Sequence, residues 1–228
     1  MATGRHRVLM AIAAPTIDAY ARRHGWDVVL SSEVLAPERP PSWAKIRLLQ
    51  DLMGHYEYVF WIDADAIVVD TRRNVLDEID RAKQMWFASH PQQRDERAVV
   101  LNAGVILLRS GEFAEHLLRS TWEQTQYVDH NWWENAALLA LLGYSLESPY
   151  ARLRDSEFDD GIGALDLSWN SVPGYCESTA PAVNHHARAD HDDFDRRVAA
   201  MAADLVSARN TFPSRLRRAA WRRAVARI

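Results

Sequence analysis

Asp63 and Asp65 are the residues whose types and spacing most directly suggest chemistry in this sequence. Carboxylate oxygens are the ligands that hard divalent cations prefer. A cation held by them can bridge a diphosphate and neutralise the charge that develops as a bond to phosphate breaks. Side chains at i and i+2 point to opposite faces of a continuous strand, so both serve one site only if the strand ends and the chain turns. Aspartate is also common in solvated turns, so the pair alone leaves both interpretations open.

The segments before the aspartate pair predict a parallel α/β arrangement. Continuous apolar runs indicate strands at residues 8–14, 26–30 and 58–62. Between them we expect a short helix over residues 15–21 and a longer helix with Ser42 as its N-cap. This alternation is typical of a parallel sheet, in which ligands bind beyond the carboxyl ends of the strands. The aspartate pair lies at such an end, which favours the functional interpretation.

The rest of the chain predicts further elements around an irregular region at residues 149–181. Apolar runs, helix-capping residues and glycines mark where these elements begin and end. In chain order we expect a strand over 98–108 interrupted by Asn102, Ala103 and Gly104, a helix from a Ser110 cap to about residue 124, a helix over 131–142, a strand over 182–185, and helices over 192–209 and 214–227.

The composition predicts one folded domain and excludes several classes of protein. The formal net charge is −4, from 27 basic and 31 acidic residues, so the chain is not a nucleic-acid-binding polycation. Cys176 is the only cysteine, which excludes an intramolecular disulfide and a cysteine-rich metal cage. A chain with a single cysteine fits a reducing compartment best. No apolar run reaches the roughly 18–20 residues that span a bilayer. We therefore expect a cytoplasmic protein.

Five segments occur in an order that is similar to one known family. They read YARRHGW at residues 20–26, PSWAKIRLL at 41–49, HYEYVFWIDADAIV at 55–68, LNAGVILLR at 101–109 and VNHHA at 183–187. Together they span about residues 16–188 and resemble glycosyltransferase family 34. That family includes plant xyloglucan xylosyltransferases and yeast α-galactosyl- and α-mannosyltransferases.

The resemblance implies a GT-A fold, a Rossmann-like α/β single domain with a mostly parallel central sheet flanked by helices. It places a catalytic domain at residues 1–190. Within that domain, nucleotide-sugar binding would fall at about 7–70, and the part that meets the acceptor and completes the metal site at about 98–190. Residues 191–228 would form a helical extension.

The implied reaction moves a sugar from a UDP- or GDP-sugar to an acceptor hydroxyl, with retention at the anomeric carbon and with Mn²⁺ or Mg²⁺ as cofactor. In a front-face route the leaving phosphate helps to take the acceptor's proton. Catalysis would then depend on positioning and on electrostatic support of the leaving diphosphate. The sequence leaves the acceptor open between a glycan, a lipid-linked molecule and a small molecule.

The resemblance also assigns candidate metal ligands. Asp63 would contact the donor's ribose and the metal, and Asp65 would be the main metal ligand. His185 would complete the protein's share of the coordination, with His186 as the alternative. Of two neighbouring histidines, one is expected to be structural.

Further residues are implied for the donor and the chemistry. Lys45 and Arg47 would lie near the donor, where a cation can meet diphosphate, although Arg47 also suits a solvent-facing helix position. Glu134 and Asn135 fall where the family has an acid–glutamine pair that contacts donor and acceptor. The full donor-binding set is Ala13, Lys45, Arg47, Asp63, Ala64, Asn102, Ala103, Gly104 and Arg188, and the catalytic set is Asp63, Asp65, Glu134 and Asn135. Arg188 stands where many relatives have a glycine.

Two other functions fit parts of the sequence. A phosphatase of the haloacid dehalogenase type also places D-x-D after a hydrophobic strand, with Asp63 as nucleophile, Asp65 as acid and Asp159–Asp160 as its late acidic pair. In this chain, however, two predicted strands precede the motif that usually begins such a domain. A catalytically silent sugar-binding relative is the second alternative, with an acceptor groove lined by Trp132, Trp133 and Trp169.

The C-terminal segment predicts a basic amphipathic helix. Six arginines fall between Arg215 and Arg227, opposite apolar residues such as Leu216 and Trp221. Such a helix packs on its own domain or a partner, or lies on an anionic membrane. The expected location is therefore cytoplasmic, with peripheral contact to the inner face of the membrane as an option. The excess of Arg and Ala suggests a GC-rich bacterial genome.

Overall fold

The structure, a computed structural model, describes residues 1–33, 35–92, 95–147, 151–187 and 194–208. The helix expected at residues 214–227 lies outside these ranges. The helices are α1 (Arg7–His24), α2 (Ala44–Met53), α3 (Glu112–Glu123), α4 (Trp133–Leu141) and α5 (Phe194–Ala208). The strands are β1 (Tyr58–Ile62), β2 (Ala66–Val68), β3 (Met85–Gln92), β4 (Asp95–Arg109), β5 (Ile162–Leu165) and β6 (Val183–His185).

The described chain divides into two compact units, each assembled from separate stretches of sequence. The first unit takes the described residues of 1–33, 62–78 and 167–228, and the second takes those of 34–61 and 79–166. The expected division into a catalytic domain at 1–190 and a helical extension stays a prediction.

Helix α1 occupies the place of the strand expected at residues 8–14, so that prediction is wrong. Leu9, Ile12, Thr16 and Tyr20 are buried and recur every three or four residues, which is the period of one helix face. The apolar run is continuous only because its outward positions are also apolar, as shown by Val8, which is 40% exposed. The helix continues through Pro15, so the short helix expected over residues 15–21 is part of α1.

The second expected strand, at residues 26–30, is also not formed in the structure. Val28, Val29 and Leu30 are 37%, 44% and 48% exposed, which does not suit a buried central strand. A strand requires a neighbour for its backbone groups. Because residues 8–14 are helical, the neighbour that we expected for residues 26–30 does not exist.

In the first unit, α1, β2 and α5 share one apolar core. Met201 of α5 and Ile67 of β2 are fully buried against Leu9, Ile12 and Ala13 of α1. The helix expected over residues 192–209 is therefore present as α5, and it packs on α1 within this unit. This core fixes α5 relative to β2, which directly follows the aspartate pair along the chain.

A two-stranded antiparallel ladder in the first unit joins β2 and β6. The expected strand at 182–185 is confirmed as β6, and its register places His185 opposite Ala66. Thr16 of α1 accepts a hydrogen bond from the Val68 backbone amide at 3.1 Å, which ties α1 to the same ladder. The late histidine is thus held beside the residues that follow Asp65.

The second unit is built on a four-stranded sheet with the order β1-β4-β3-β5. The strands expected at 58–62 and 98–108 are confirmed as β1 and β4. Strand β3 pairs with β5 in parallel and with β4 in antiparallel orientation, so the sheet is mixed rather than mostly parallel. Helices α2, α3 and α4 belong to this unit.

Strand β4 carries an irregularity at the Asn-Ala-Gly interruption. Phe87 of β3 pairs with Ile106, but Ser89 pairs with Leu101, so two steps on β3 correspond to five steps on β4. The three extra residues bulge from the ladder, and bulges of this kind re-aim side chains next to active sites. The backbone of Asn102, Ala103 and Gly104 is thereby released for other contacts.

The two expected serine N-caps are wrong. Ser42 lies inside the short 3-10 helix Pro41–Trp43, which leads directly into α2, and the α2 N-cap is Trp43. The N-cap of α3 is Gly111, while the Ser110 hydroxyl donates to the Tyr56 carbonyl instead.

Among the described residues, no helix combines the length and apolar character that crossing a membrane requires.

Candidate functional site

The aspartate pair lies in the tight turn that joins β1 to β2. Strand β1 ends at Ile62, and the Ala66 amide donates to the Asp63 carbonyl at 3.0 Å, which closes the turn. Strand β2 then begins at Ala66. The chain therefore turns between Asp63 and Asp65. Two carboxylates at i and i+2 need such a turn if both are to serve one site.

Asp63, Asp65 and His185 form the metal-binding candidate of the first unit. His185 Nε2 lies 3.4 Å from Asp65 Oδ1 and 3.9 Å from Asp63 Oδ2. One ligand atom from each of the three residues lies within 4.8 Å of the other two. Two carboxylate oxygens and one imidazole nitrogen are a donor set that suits a divalent cation.

Asn170 sets the tautomer of the candidate histidine ligand. His185 Nδ1 is 2.8 Å from Asn170 Oδ1, which is an acceptor, so Nδ1 carries the proton and donates it. In the neutral ring the lone pair is then on Nε2, the nitrogen that faces the two aspartates. Histidine ligands of metals are characteristically oriented by such a bond on the other nitrogen. The donor set and its tautomer therefore fit a divalent cation.

His186, the alternative ligand, faces a different partner. Its Nε2 lies 2.9 Å from Asp204 Oδ2 of α5, and the same carboxylate oxygen accepts from Asn184 Nδ2 at 2.9 Å. The His186 backbone amide donates to the Asp65 carbonyl at 2.9 Å. Of the two neighbouring histidines, His185 is the one in the cluster with the aspartates, and His186 connects β6 to α5.

The carboxyl of Asp65 is held in its ionised form. Burial raises the pKa of Asp65, but the hydrogen bond and charge that His185 supplies when both of its ring nitrogens carry a proton, together with the charge of Arg197, outweigh burial and hold the pKa well below its usual range. Arg197 Nη1 lies 3.2 Å from Asp65 Oδ2. An ionised Asp65 is the form that can bind a cation.

Two of these groups were not among the candidates from the sequence. Asn170 lies in an irregular region, in the 3-10 helix Leu167–Asn170, and Arg197 is one of two adjacent arginines on α5. Neither carries a local motif, so only long-range structure brings them to residues 63–65. In the sequence, the Trp169–Asn170 pair was a weak signal of a buried hydrogen bond, because an amide next to a large aromatic residue is expected to have a buried partner.

The second unit holds a separate cluster of predicted site residues, built on the β4 bulge. Lys45 of α2 donates to Glu134 Oε1 and to the Ala103 carbonyl, both at 2.9 Å. Asn135 Oδ1 accepts from the Ala103 amide at 2.9 Å, and Asn102 Oδ1 accepts from the Gly104 amide at 2.8 Å. Residues from α2, β4 and α4 that are far apart in sequence thus form one hydrogen-bonded network.

Glu134 has an acceptor that the network does not use. Lys45 and Glu134 are only 4% and 5% exposed, so each neutralises the other in a poorly solvated place. Glu134 Oε2 is buried and has no hydrogen-bond partner among the described residues. A buried carboxylate oxygen of this kind is expected to accept a bond from some group, and a ligand hydroxyl is one that fits.

The other predicted donor residues have varied environments. Arg47 is half-buried, stacks on Trp122 with its guanidinium carbon 3.9 Å from the ring centroid, and donates to Gln50. Ala64 is half-buried in the turn between the two aspartates. Ala13 is fully buried on α1, in the core of the first unit rather than at a strand end. Arg188 lies outside the described residues.

Comparisons with known proteins place this arrangement in a family context. Residues 4–90 match the galactosyl transferase GMA12/MNN10 family. Glycosyltransferase 6 of Arabidopsis thaliana is 32% identical over 111 residues, which cover 46% of this chain and 25% of that protein. An α-1,2-galactosyltransferase of Schizosaccharomyces pombe is 25% identical over 192 residues, which cover 64% of this chain and 50% of that protein. The chain thus spans a quarter to a half of these curated relatives.

Solved structures of glycosyltransferases share the fold. The galactosyltransferase LgtC, determined with donor and acceptor sugar analogues, matches with a TM-score of 0.58 at 14% identity, over 95% of this chain and 97% of that one. A glycosyltransferase involved in glycosylating the major capsid of PBCV-1 matches with a TM-score of 0.55 at 13% identity, over 88% and 95% of the two chains. The chain has the GT-A fold and a family 34-like sequence.

The GT-A fold weakens the phosphatase alternative. Asp159, which that alternative requires in a late acidic pair, is engaged by Arg152 and by the Ser156 amide. The sugar-binding alternative loses one of its three tryptophans, because Trp169 is fully buried and its Nε1 donates to Glu78. Trp133 remains 38% exposed and has φ of 45°, an uncommon conformation for a bulky residue.

Proposed function

We propose that this chain is a metal-dependent glycosyltransferase that moves a sugar from a UDP- or GDP-sugar to an acceptor hydroxyl, with retention at the anomeric carbon. The observation that carries the proposal is the Asp63–Asp65–His185 cluster at the end of β1, in a chain with the GT-A fold. The relatives that are named galactosyltransferases favour a hexose as the transferred sugar.

The chain's own residues in the first unit prepare a cation site. A bound Mn²⁺ or Mg²⁺ would supply positive charge to the leaving diphosphate. Asp65 is held ionised, Asp63 lies beside it in the same turn, and in the neutral ring of His185 Asn170 keeps the lone pair on the nitrogen that faces them. Because these atoms are placed before any ligand arrives, little reorganisation is needed during the reaction.

The residues of the second unit suit recognition of the donor sugar and the acceptor. We assign Glu134 Oε2 as the acceptor for a sugar hydroxyl, because it is buried and its partner Lys45 is bound at the other oxygen. Asn135 and Asn102 fix the bulged backbone of Ala103 and Gly104, where close approach of a ligand is possible. Lys45 then acts by orienting Glu134.

Release of UDP or GDP from a panel of nucleotide sugars tests the proposal, with Mn²⁺, with Mg²⁺ and with chelator. We expect turnover of one donor only when metal is present. Asp65→Asn should reduce it by about a hundredfold or more, because the cation that would stabilise the developing negative charge loses a ligand. Asp18→Asn is the matched control, since Asp18 forms an exposed pair with Arg22, and should leave turnover unchanged.

The same assay separates the remaining possibilities. Nucleotide binding without turnover of any donor would favour the silent sugar-binding relative. Hydrolysis of a simple phosphate ester with no nucleotide-sugar turnover would favour the phosphatase. If a product forms, the coupling constant of its anomeric proton in NMR decides between retention and inversion.

A further inference from the structure

Helix α5 presents polar and apolar residues on one stripe that faces the metal-site segments of the first unit. Arg197, Met201 and Asp204 follow each other at spacings of four and three residues, which places them on one helix face. Met201 is fully buried in the core with Ile67, which lies two residues after Asp65. On either side of it, Arg197 contacts Asp65 and Asp204 contacts His186.

The two oxygens of Asp65 face different partners. Oδ1 lies 3.4 Å from His185 Nε2, on the side of the candidate ligands. Oδ2 lies 3.2 Å from Arg197 Nη1. Both side chains are largely shielded from water, with 12% of Arg197 and 18% of Asp65 exposed, so their attraction is weakly screened.

A divalent cation and Arg197 are therefore two positive groups that share one carboxylate. Without metal, Arg197 neutralises a charge that would otherwise lie poorly solvated beside Asp63. With metal bound through Oδ1, Arg197 is a like charge a few ångströms from the cation. A like charge at this range opposes binding, while its removal leaves Asp65 with one positive partner fewer until a cation arrives.

We propose that Arg197 is the resident counter-ion of Asp65 and sets the affinity of the site for its divalent cation. The inference rests on the proposed metal site. Arg197 stabilises the metal-free protein and weakens metal binding, so the site releases its cation more readily than the three ligands alone would allow.

The test measures Mn²⁺ alone, by titration with detection of free Mn²⁺ by electron paramagnetic resonance. Arg197→Met, which keeps the apolar stem, should bind Mn²⁺ about tenfold more tightly, on the scale by which outer partners change metal affinity. Its melting temperature without metal should fall, and its rise on adding Mn²⁺ should exceed that of the wild type. Arg196→Met, the same change at an exposed neighbour, should change neither quantity.

Arg197→Lys keeps the charge and should bind Mn²⁺ within about twofold of the wild type. Equal or weaker Mn²⁺ binding by a folded Arg197→Met protein would overturn the inference and leave Arg197 a purely structural residue. If neither the wild type nor Arg197→Met binds Mn²⁺, the metal site itself fails, and the proposed function fails with it.

Discussion

At the scale of single residues, the candidate metal site depends on groups that orient its ligands. The carboxylates of Asp63 and Asp65 and the Nε2 of His185 are the atoms that a cation would meet. Each is placed by something else: a backbone turn places Asp63, Arg197 binds Asp65, and Asn170 binds His185. Partners of this kind commonly affect metal affinity almost as strongly as the ligands do.

Asn170→Ala should weaken Mn²⁺ binding by about 10- to 100-fold, because His185 loses the acceptor that keeps its lone pair on Nε2. The alternative substitution Asn170→Asp keeps an acceptor oxygen in the same place, so this variant should retain most of the wild-type affinity for Mn²⁺. Titration of Mn²⁺ measures both, with Asn131→Ala as a control at an exposed asparagine. Wild-type affinity in a folded Asn170→Ala protein would contradict the role of Asn170.

The pKa of Asp65 makes a prediction about acid stability without metal. Its folded-state pKa is lowered by His185 and Arg197 despite burial, so its ionised form stabilises the fold. This contribution is complete above the unfolded pKa of about 3.9 and is lost as the pH falls towards the lower folded value. The difference in free energy of unfolding between the wild type and Asp65→Asn should be present at pH 5 and shrink below about pH 4. Urea titrations in chelator measure it, and a difference that grows in acid would contradict the assignment.

At the scale of elements, the second unit is connected by a buried ion pair between α2 and α4. Lys45 bonds Glu134 of α4 and the bulged β4 backbone at Ala103. The three elements therefore share a buried contact between charged and polar groups. Removing one partner of such an ion pair is expected to destabilise the fold far more than replacing both partners, because the remaining charge stays buried and uncompensated.

Lys45→Met should lower the free energy of unfolding by about 3–5 kcal/mol, because Glu134 is left charged and buried. Adding Glu134→Gln removes the orphaned charge and should recover a large part of that loss. Urea unfolding measures both, with Lys83→Met as a control at an exposed hydrogen bond. If the double variant were less stable than the single one, Glu134 would not be the source of the cost.

Sequence patterns predicted the elements near the site better than those at the start of the chain. Strands β1, β4 and β6 follow from short apolar runs bounded by polar residues. Strand β1 leads directly into Asp63, β4 contains Asn102, and β6 contains His185. Residues 8–14 have the composition of a buried strand, but their burial follows the helical period. The sequence did not reveal this period, because the outward positions of the run, such as Val8, are also apolar.

The whole molecule shows why part of the site was beyond local patterns. Asp63 is separated by more than a hundred residues of sequence from Asn170, His185 and Arg197, yet the first unit brings them together. The ligands were predictable because motifs mark them. Their partners were not, because neither Asn170 nor Arg197 lies in a local motif, and the sequence around Asn170 gives only a weak signal. The cytoplasmic location and the membrane contact of the basic C-terminal segment stay predictions.

The most direct test of the central claim is a thermal-shift titration of UDP and GDP with Mn²⁺ or with chelator. A nucleotide at 100 times its dissociation constant adds about 2.7 kcal/mol to stability. For a chain of this size that is roughly a 5–10 °C rise in melting temperature. We predict such a rise for one nucleotide, only with Mn²⁺, and its loss in Asp65→Asn. An equal rise with chelator, or no rise with either nucleotide, would contradict a metal-dependent nucleotide-sugar site at Asp63, Asp65 and His185.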